Sequence, residues 1–289
     1  MIRRGRDELM LQFGYEKITP RVTRIFGFCG EHMYLVEGEE RAALLDTGSG
    51  FGSLKACVDA LTDKPVTVLI THGHIDHAMG AAEFEDVYMS HKDFYIFDAH
   101  GKEEGRRMGL SKSPLRDQIP GDDFIPTADK GLFKDLGDGD VFDLGGVAIE
   151  MFACPGHTLG TLTMLIREER LLLLGDACNP RTFLFGDYST GVTTYRSSLV
   201  LLKAATDGKY DNVLLSHGHR PEESTPDFSG MIPSAIRVCD DILSGNVDDV
   251  PFSFMGRSEG VVAKTTDGFS GRVDGGLANI VYDKNRIWE

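Results

Sequence analysis

Three histidines and one aspartate lie within seven residues in the stretch THGHIDH, residues 71–77. Clustered imidazoles do not stabilise a soluble chain by themselves, because protonated rings repel one another and buried rings need partners. A bound metal ion removes both difficulties, since it is held by neutral imidazole nitrogens. His72 and His74 are two residues apart, so in extended chain their side chains point the same way and can hold one ion. Asp76 and His77 follow as the chain turns and can face a second ion.

More histidines and aspartates follow short apolar runs, at places where strands are expected to end. They are His157 after FACPG, Asp176 after LLLLG, His217 after VLLS, and Asp46 in LLDTG. Strand ends that are distant in sequence can meet in space, and loops at such ends carry function. A zinc ion takes about four nitrogen or oxygen ligands and, when catalytic, keeps one position open. We therefore expect one metal site with the ligands His72, His74 and His157. We expect a second site with the ligands Asp76, His77 and His217.

Asp176 is expected to bridge these two sites through its two carboxylate oxygens. The mixture of imidazole and carboxylate suits zinc, and also iron or manganese, so two Zn²⁺ ions are the expected cofactors. A water between two such ions becomes hydroxide near neutral pH and attacks a carbonyl carbon or a phosphorus. Asp76 is a catalytic candidate as well, because its carboxylate can orient that hydroxide or carry a proton to the leaving group.

Three further residues are weaker candidates for contact with a substrate. Tyr195 can donate a hydrogen bond to an oxyanion, although packing on a helix is the simpler explanation. His219, in SHGH, can touch substrate or cap its loop, and Arg181 can hold a carboxylate or phosphate or form a structural salt bridge. A hydroxide generated by two metal ions needs no Ser-His-Asp triad, so no serine nucleophile is expected.

The loops that carry these candidate residues must be held by a folded scaffold. The apolar patterns predict a scaffold of the α/β class. The patterns predict an antiparallel meander over residues 22–46. They predict further strands over residues 65–70, 147–153, 161–166, 170–174 and 211–215. Helices are expected near residues 51–62, 77–84, 91–100, 193–207 and 229–244. Residues 101–130 give no clear pattern and are interpreted as a possible insertion. The end of the chain, 259–289, is expected to form a closing hairpin, so that residues 1–289 make one domain.

The chain resembles the metallo-β-lactamase fold superfamily over roughly residues 20 to 220. The resemblance lies in five motifs and their order: LLDTG, THGHIDH, PGHTLG, LLGDA and SHGH. The resemblance implies a four-layer αββα sandwich with a dinuclear metal site at one edge of its sheets. It assigns the same two ligand sets and the bridging Asp176. It also implies that Asp46 is an outer carboxylate that supports the ligand loop. The chain should then be a metal-dependent hydrolase that acts on a small ester, thioester or lactone.

The chain lacks residues that are typical of particular branches of this superfamily, which narrows the expected activity. Cys178 lies two residues past Asp176, so the cysteine ligand of the antibiotic-degrading zinc enzymes is missing. The residues that follow Asp176 and the tail lack the glutathione-binding pattern of the glyoxalase II group. Flavodiiron proteins carry glutamate where this chain has His74. Three alternatives stay open: a phosphodiesterase or nuclease of the same fold, an iron-dependent oxygenase resembling persulfide dioxygenases, and a non-catalytic metal-binding module.

Composition sets the remaining expectations. The net charge of −15 disfavours nucleic acid and anionic membranes as partners, although basic residues do cluster between Lys102 and Arg116. Five cysteines without regular spacing indicate reduced thiols, which with the absence of a signal-like start favours the cytoplasm. A small-molecule substrate is expected, and the acidic tail could pair with a second copy in a homodimer.

Overall fold

The computed structural model describes residues 13–110, 124–218, 227–254, 257–268 and 271–289. The strands, numbered in chain order, are β1 Gly14–Lys17, β2 Val22–Phe26, β3 His32–Glu37, β4 Ala42–Leu45, β5 Val66–Leu69, β6 Val87–Tyr88, β7 Phe133–Lys134, β8 Val141–Asp143, β9 Ala148–Ala153, β10 Leu162–Ile166, β11 Leu171–Gly175, β12 Thr182–Leu184, β13 Asn212–Leu215, β14 Val250–Phe254, β15 Arg257–Val262, β16 Thr266–Asp267, β17 Gly271–Arg272 and β18 Ile280–Tyr282. The α-helices are α1 Leu54–Leu61, α2 Ile75–Ala78, α3 Phe94–His100, α4 Glu103–Leu110, α5 Val192–Thr206 and α6 Met231–Ser244. Short 3₁₀ turns occupy Ala81–Glu83, His91–Asp93 and Lys130–Leu132.

Two large sheets form the centre of the fold. The first runs β1-β2-β3-β4-β5-β6-β7, antiparallel as far as β4 and parallel from β4 to β7. The second runs β13-β11-β10-β9-β8 and is antiparallel except for the parallel pair β11 and β13. The parallel pairs matter for function, because parallel strands end at the same edge of a sheet.

Helices cover the outer face of each sheet, which gives the α/β/β/α order that the sequence predicts. One apolar cluster joins both sheets, with Tyr34 and Leu69 from the first and Met151 and Leu173 from the second. Another cluster packs the first sheet against α1 and α3. A third packs the second sheet against α5 and α6. The four-layer αββα sandwich is confirmed.

The continuous apolar run of β11 follows from this layering. Leu172 and Leu174 pack against the helices on one face, whereas Leu171 and Leu173 pack against the other sheet. Side chains alternate between the faces of a strand, so a strand buried on both faces must be apolar at every position. The same alternation places Leu44 under the helices of the first sheet and Leu45 between the sheets.

Several predicted elements differ in detail from the structure. The helix expected over 77–84 is α2 followed by a 3₁₀ turn, and that over 91–100 is a 3₁₀ turn followed by α3. Part of the segment 101–130 is ordered as α4, whose Arg107 pairs with Glu103 one turn earlier, and residues 111–123 lie outside the described part of the chain. Short-range pairing and capping decide such boundaries, and apolar periodicity does not register them.

The end of the chain forms more than a closing hairpin. β15 and β18 pair antiparallel, and the small hairpin of β16 and β17 lies between them in sequence. β12, from the middle of the chain, pairs in parallel with β18, and β14 pairs with β15. The result is a third sheet in the order β12-β18-β15-β14. Among the described residues, no helix is long and apolar enough to cross a bilayer.

Candidate metal centre

Loops at one end of the two central sheets bring the chemistry-bearing residues together. Parallel pairing of β4 with β5, and of β11 with β13, aligns the ends of these strands at one edge. His157 enters from the turn between the antiparallel strands β9 and β10. The Tyr34 hydroxyl donates to the Leu215 carbonyl oxygen at 2.6 Å, which joins the first sheet to the second just before His217.

Three buried imidazoles face one another in the first cluster. His74 Nδ1 lies 3.0 Å from His72 Nε2 and 2.8 Å from His157 Nε2. Three ring nitrogens converging on one point cannot all be satisfied by hydrogen bonds among themselves, but a cation accepts a lone pair from each. Burial and the neighbouring imidazoles lower the pKa of His72 and of His74 well below the usual value. The lowered pKa favours the neutral ring, which is the form in which a histidine binds a metal.

Asp76, His77 and His217 form the second cluster. His77 Nε2 lies 3.7 Å from Asp76 Oδ1, and His217 Nε2 lies 3.4 Å from Asp76 Oδ2. Burial lowers the pKa of His77, but the carboxylates of Asp76 and Asp46 outweigh it and raise that pKa well above its usual value. Burial likewise lowers the pKa of His217, yet Asp176 and Asp76 raise it to about 9. The carboxylates of this cluster thus favour positive charge, which a divalent cation supplies.

Asp176 lies between the two clusters. Its Oδ2 atom is 3.7 Å from His157 Nε2 in the first cluster. The same atom is 3.6 Å from His77 Nε2 and 3.4 Å from His217 Nε2 in the second. Asp176 Oδ1 instead accepts a hydrogen bond from Asn179 Nδ2 at 3.3 Å. Oδ2 is thus the oxygen that faces both clusters, and bridging through both carboxylate oxygens stays a prediction.

Hydrogen bonds on the far side of the rings fix which nitrogen points inward. His77 Nδ1 donates to Asp46 Oδ2 at 2.8 Å, so Nε2 carries the free lone pair when the ring is neutral. The Thr71 hydroxyl is 2.8 Å from the same Asp46 oxygen and 3.1 Å from His72 Nδ1. His157 Nδ1 donates to the Phe183 carbonyl oxygen at 2.9 Å. These contacts leave the Nε2 atoms of all three rings facing the centre.

The donor set therefore fits divalent metal ions. A third group, made of His72, His77 and Asp176, shares one histidine with each of the two clusters. Within each of these groups of three residues, the ligand atoms lie within 4.8 Å of one another. His77 Nε2 is buried without a hydrogen-bond partner among the described residues, which is costly unless another group binds it. In a tetrahedral zinc site the ligand nitrogens are roughly 3.3 Å apart, close to the separations in the first cluster. Residues on both sides of Asp176 could thus hold metal ions.

Comparisons with known proteins bear on the same residues. The sequence profile of the metallo-beta-lactamase superfamily matches residues 26–217, which contain every residue of both clusters. The chain belongs to the metallo-beta-lactamase superfamily. It is 25% identical over 194 residues to a hydroxyacylglutathione hydrolase from Haemophilus influenzae, a match that covers 63% of this chain and 82% of that protein. It is 29% identical over 161 residues to an acyl-coenzyme A thioesterase from Bos taurus, covering 50% of this chain and 57% of that protein.

Solved structures support the fold independently. A metallo-beta-lactamase from Pontibacter korlensis matches with a TM-score of 0.56 at 16% identity, over 78% of this chain and 98% of that one. Identity this low shows the fold alone. The metallo-beta-lactamase fold thus accounts for residues up to about 217, and the third sheet formed with the C-terminal strands lies mainly beyond the matched profile.

Asp93 is a buried residue of this metallo-beta-lactamase domain that the motif analysis missed. Its Oδ2 atom accepts hydrogen bonds from the Gly73 amide at 2.9 Å and from the Thr158 hydroxyl at 2.7 Å. Its Oδ1 atom accepts from the Gly160 amide at 2.7 Å. One carboxylate therefore ties the loop of His72 and His74 to the loop of His157. Nothing in the sequence around Asp93 distinguishes it from a solvated aspartate.

Two rings next to His74 were also missed. His100, the last residue of α3, stacks on His74 with ring centroids 4.9 Å apart and planes at 18°. Tyr188 meets His74 edge-on, with centroids 5.0 Å apart and planes at 89°. Burial lowers the pKa of His100. Isolated aromatic residues in helices and loops give no motif, so these neighbours emerge only from the structure.

Three weaker candidates have different outcomes. Tyr195 does not reach the centre: it is fully buried and its hydroxyl donates to the Ala177 carbonyl oxygen at 2.7 Å, so its assignment as an oxyanion donor is wrong. Arg181 is directed toward the C-terminal strands, donating to Thr266 Oγ1 at 3.2 Å, rather than toward the histidines. His219 lies outside the described residues.

In its described part, the basic stretch between Lys102 and Arg116 has Lys102 and Arg107 exposed and Arg106 buried. Arg106 is buried and donates to the carbonyl oxygens of Ile125 at 2.6 Å and Gly50 at 2.8 Å. Arg107 pairs with Glu103 on the same helix. Arg106 therefore holds α4 and the segment near residue 125 to the Gly-rich turn after β4, which is a structural role.

Proposed function

We propose that this protein is a dinuclear metallohydrolase, with zinc as its metal, that cleaves small acyl thioesters. Small esters and lactones share the same carbonyl chemistry and belong to the same proposal. One observation carries it: Asp176 Oδ2 lies 3.4–3.7 Å from ligand nitrogens of both clusters. The two most informative relatives are named for the hydrolysis of hydroxyacylglutathione and of acyl-coenzyme A, both of which are thioesters.

His72, His74 and His157 would hold one ion, and Asp76, His77 and His217 the other. Two zinc ions in this cage would supply an activated water and polarise the substrate carbonyl. Asp46 keeps the His77 proton on Nδ1, and Asp93 keeps the two ligand loops in register. Asp76 is about one-third exposed, so its carboxylate is accessible to orient water or return a proton to the leaving thiolate.

The second cluster favours hydrolysis over the iron-oxygenase alternative. A mononuclear iron site needs two histidines and one carboxylate, which the first cluster and Asp176 already provide. Asp76, His77 and His217 would then be superfluous, yet they form a second complete group with an ordered outer hydrogen bond at His77. A phosphodiesterase would use cations to bind its substrate, and Arg181, the candidate for holding a phosphate, donates to Thr266 Oγ1 instead.

The proposal is tested with protein reconstituted with two equivalents of Zn²⁺. Thiol release is measured from a panel of acylglutathione and acyl-coenzyme A thioesters, beside aryl esters and lactones. We expect thioester turnover that is lost by at least a thousandfold in Asp176→Asn, as for removal of a group that acts in the transition state. A zinc-loaded protein that hydrolyses no member of the panel, or an iron-loaded protein that consumes oxygen with a persulfide, would exclude the proposed activity.

A further inference from the structure

The ligand histidines differ in the partner of their outward nitrogen. In four of the five rings, the outward Nδ1 atom has a polar neighbour. Side chains provide it for two rings: Thr71 lies 3.1 Å from His72 Nδ1, and Asp46 lies 2.8 Å from His77 Nδ1. Backbone carbonyl oxygens provide it for the others: that of Phe183 lies 2.9 Å from His157 Nδ1, and that of Gly30 lies 3.4 Å from His217 Nδ1. His74 is the exception. Its Nδ1 atom points inward, and its outward Nε2 atom is buried with no hydrogen-bond partner in the described parts of the chain.

A second buried nitrogen without a partner lies beside His74. His100 stacks on the His74 ring at 4.9 Å, and its Nδ1 atom is also buried and without a partner among the described residues. An unpartnered buried nitrogen is costly, so two of them in contacting rings call for a partner that both can share. When His74 binds a metal through Nδ1, its proton must be on Nε2. His74 then presents a buried N–H donor, and the contacting ring of His100 carries a buried nitrogen that can accept.

The position of His100 is set by the helix that carries it. Its helix α3 begins directly after Asp93, whose carboxylate binds the amides of Gly73 and Gly160. One end of the helix is thus fixed to both ligand loops, and the other end delivers His100 onto His74. Tyr188 closes the group, with its ring 5.0 Å from His74 and 6.0 Å from His100.

We infer that His100 is a positioning residue for His74, acting through one small shared polar group. That group is a bound water that accepts from His74 Nε2–H and donates to His100 Nδ1. It gives His74 the outer hydrogen bond that the other four ligand histidines already have. The inference rests on the proposed metal centre, because it concerns how strongly His74 binds its ion.

Metal affinity without substrate is the direct test. His100→Phe keeps a ring for stacking and removes the acceptor, while His100→Gln keeps an acceptor on a flexible side chain. His100→Leu repeats the removal, so a single misfolded variant does not decide the result. His91→Phe is the matched control, since His91 also stacks on a ring, that of Phe94, and belongs to neither cluster. Folding of each metal-free variant is checked by circular dichroism and thermal unfolding.

Zinc affinities are measured by competition with a chromogenic chelator, and Co²⁺ is substituted to record the d–d absorption bands. We expect His100→Phe and His100→Leu to weaken one of the two zinc equivalents about tenfold and to shift the Co²⁺ bands, with partial recovery in His100→Gln. His91→Phe should match the wild type. Wild-type affinity and spectra in folded His100→Phe, or no recovery in His100→Gln, would overturn the inference. A wild-type protein that binds no metal would instead refute the proposed function.

Discussion

His77 donates a hydrogen bond from Nδ1 to Asp46 Oδ2 over 2.8 Å, and both side chains are almost completely buried. Asp46 also accepts from the Thr71 amide at 2.7 Å, so its position is fixed independently of His77. The carboxylate thereby sets the orientation and the tautomer of a ligand that belongs to the second cluster. Its backbone has a φ of 65°, a conformation that aspartate and asparagine tolerate better than most other residues.

Asp46→Asn should therefore weaken the second metal site without straining the backbone. The neutral amide removes the charge that stabilises the His77 N–H, and outer partners of this kind change metal affinity by about 10–100-fold. We expect one zinc equivalent to become easily removable by a chelator while the other stays bound. Asp59→Asn, at an exposed helix position paired with Lys55, is the control. Unchanged binding of both equivalents in Asp46→Asn would show that Asp46 does not support the site.

Asp93→Asn should lower the stability of the whole ligand edge. Asparagine offers one acceptor oxygen and turns an amide N–H₂ toward donors, so at least one of the Gly73, Thr158 and Gly160 donors loses its partner. We expect a loss of about 2 kcal/mol in the free energy of unfolding, measured in urea on the metal-free protein. Asp98→Asn, which removes only an exposed pair with Lys130, should cost under about 0.5 kcal/mol. Equal effects of the two substitutions would contradict the role assigned to Asp93.

Gly156→Ala should disturb the loop that carries His157. A Cβ atom on Gly156 would lie 2.2 Å from Tyr195 Cδ2, and Tyr195 is locked in the core by its bond to Ala177. We expect the loop to shift, and zinc binding and activity to fall by an order of magnitude or more. Gly105→Ala is the control, because its Cβ would meet nothing closer than 3.9 Å on α4. Full zinc content in Gly156→Ala would indicate that this loop adapts freely.

The thiols should be slow to react in the native protein. Burial raises the pKa of Cys154 to about 12, and burial with the Glu31 charge raises that of Cys29 to about 12. Cys178 and Cys239 are also buried with raised pKa values. Since the thiolate is the reactive form, and it appears only as pH approaches the raised pKa, a disulfide reagent at pH 8 should modify them within seconds only after unfolding in guanidinium. Rapid reaction of three or more thiols in the native state would contradict the buried placement.

The sequence predicts which side chains come together because their signal is local. THGHIDH provides four candidate ligands on one loop, and the remaining three each follow an apolar run that ends a strand. His157, Asp176 and His217 could be placed near them because strand ends meet at one edge in an α/β sandwich. The inner strands were equally predictable, since strands buried on both faces are apolar throughout, as in Leu171–Gly175.

Features that depend on side-chain orientation were not predictable. The sequence did not indicate that Asn179, three residues away, donates a hydrogen bond to Asp176 Oδ1 while Oδ2 faces the histidines. Tyr195 faces the core rather than the metal centre because Ala177 supplies its partner. Asp93 and His100 belong to no pattern, since each acts through contacts with loops far away in sequence. The parallel pairing of β12 with β18 joins segments about a hundred residues apart, which no local periodicity encodes.

Metal content is the most direct test of the central claim that the two clusters form one dinuclear centre. Protein purified without added metal is analysed for all transition metals, together with His72→Ala, Asp176→Asn and a His91→Ala control. The account predicts about two zinc ions per chain in the wild type and the control, and clearly fewer in the other two variants. No bound metal in the wild type, and none after reconstitution with Zn²⁺, Fe²⁺ or Mn²⁺, would contradict it.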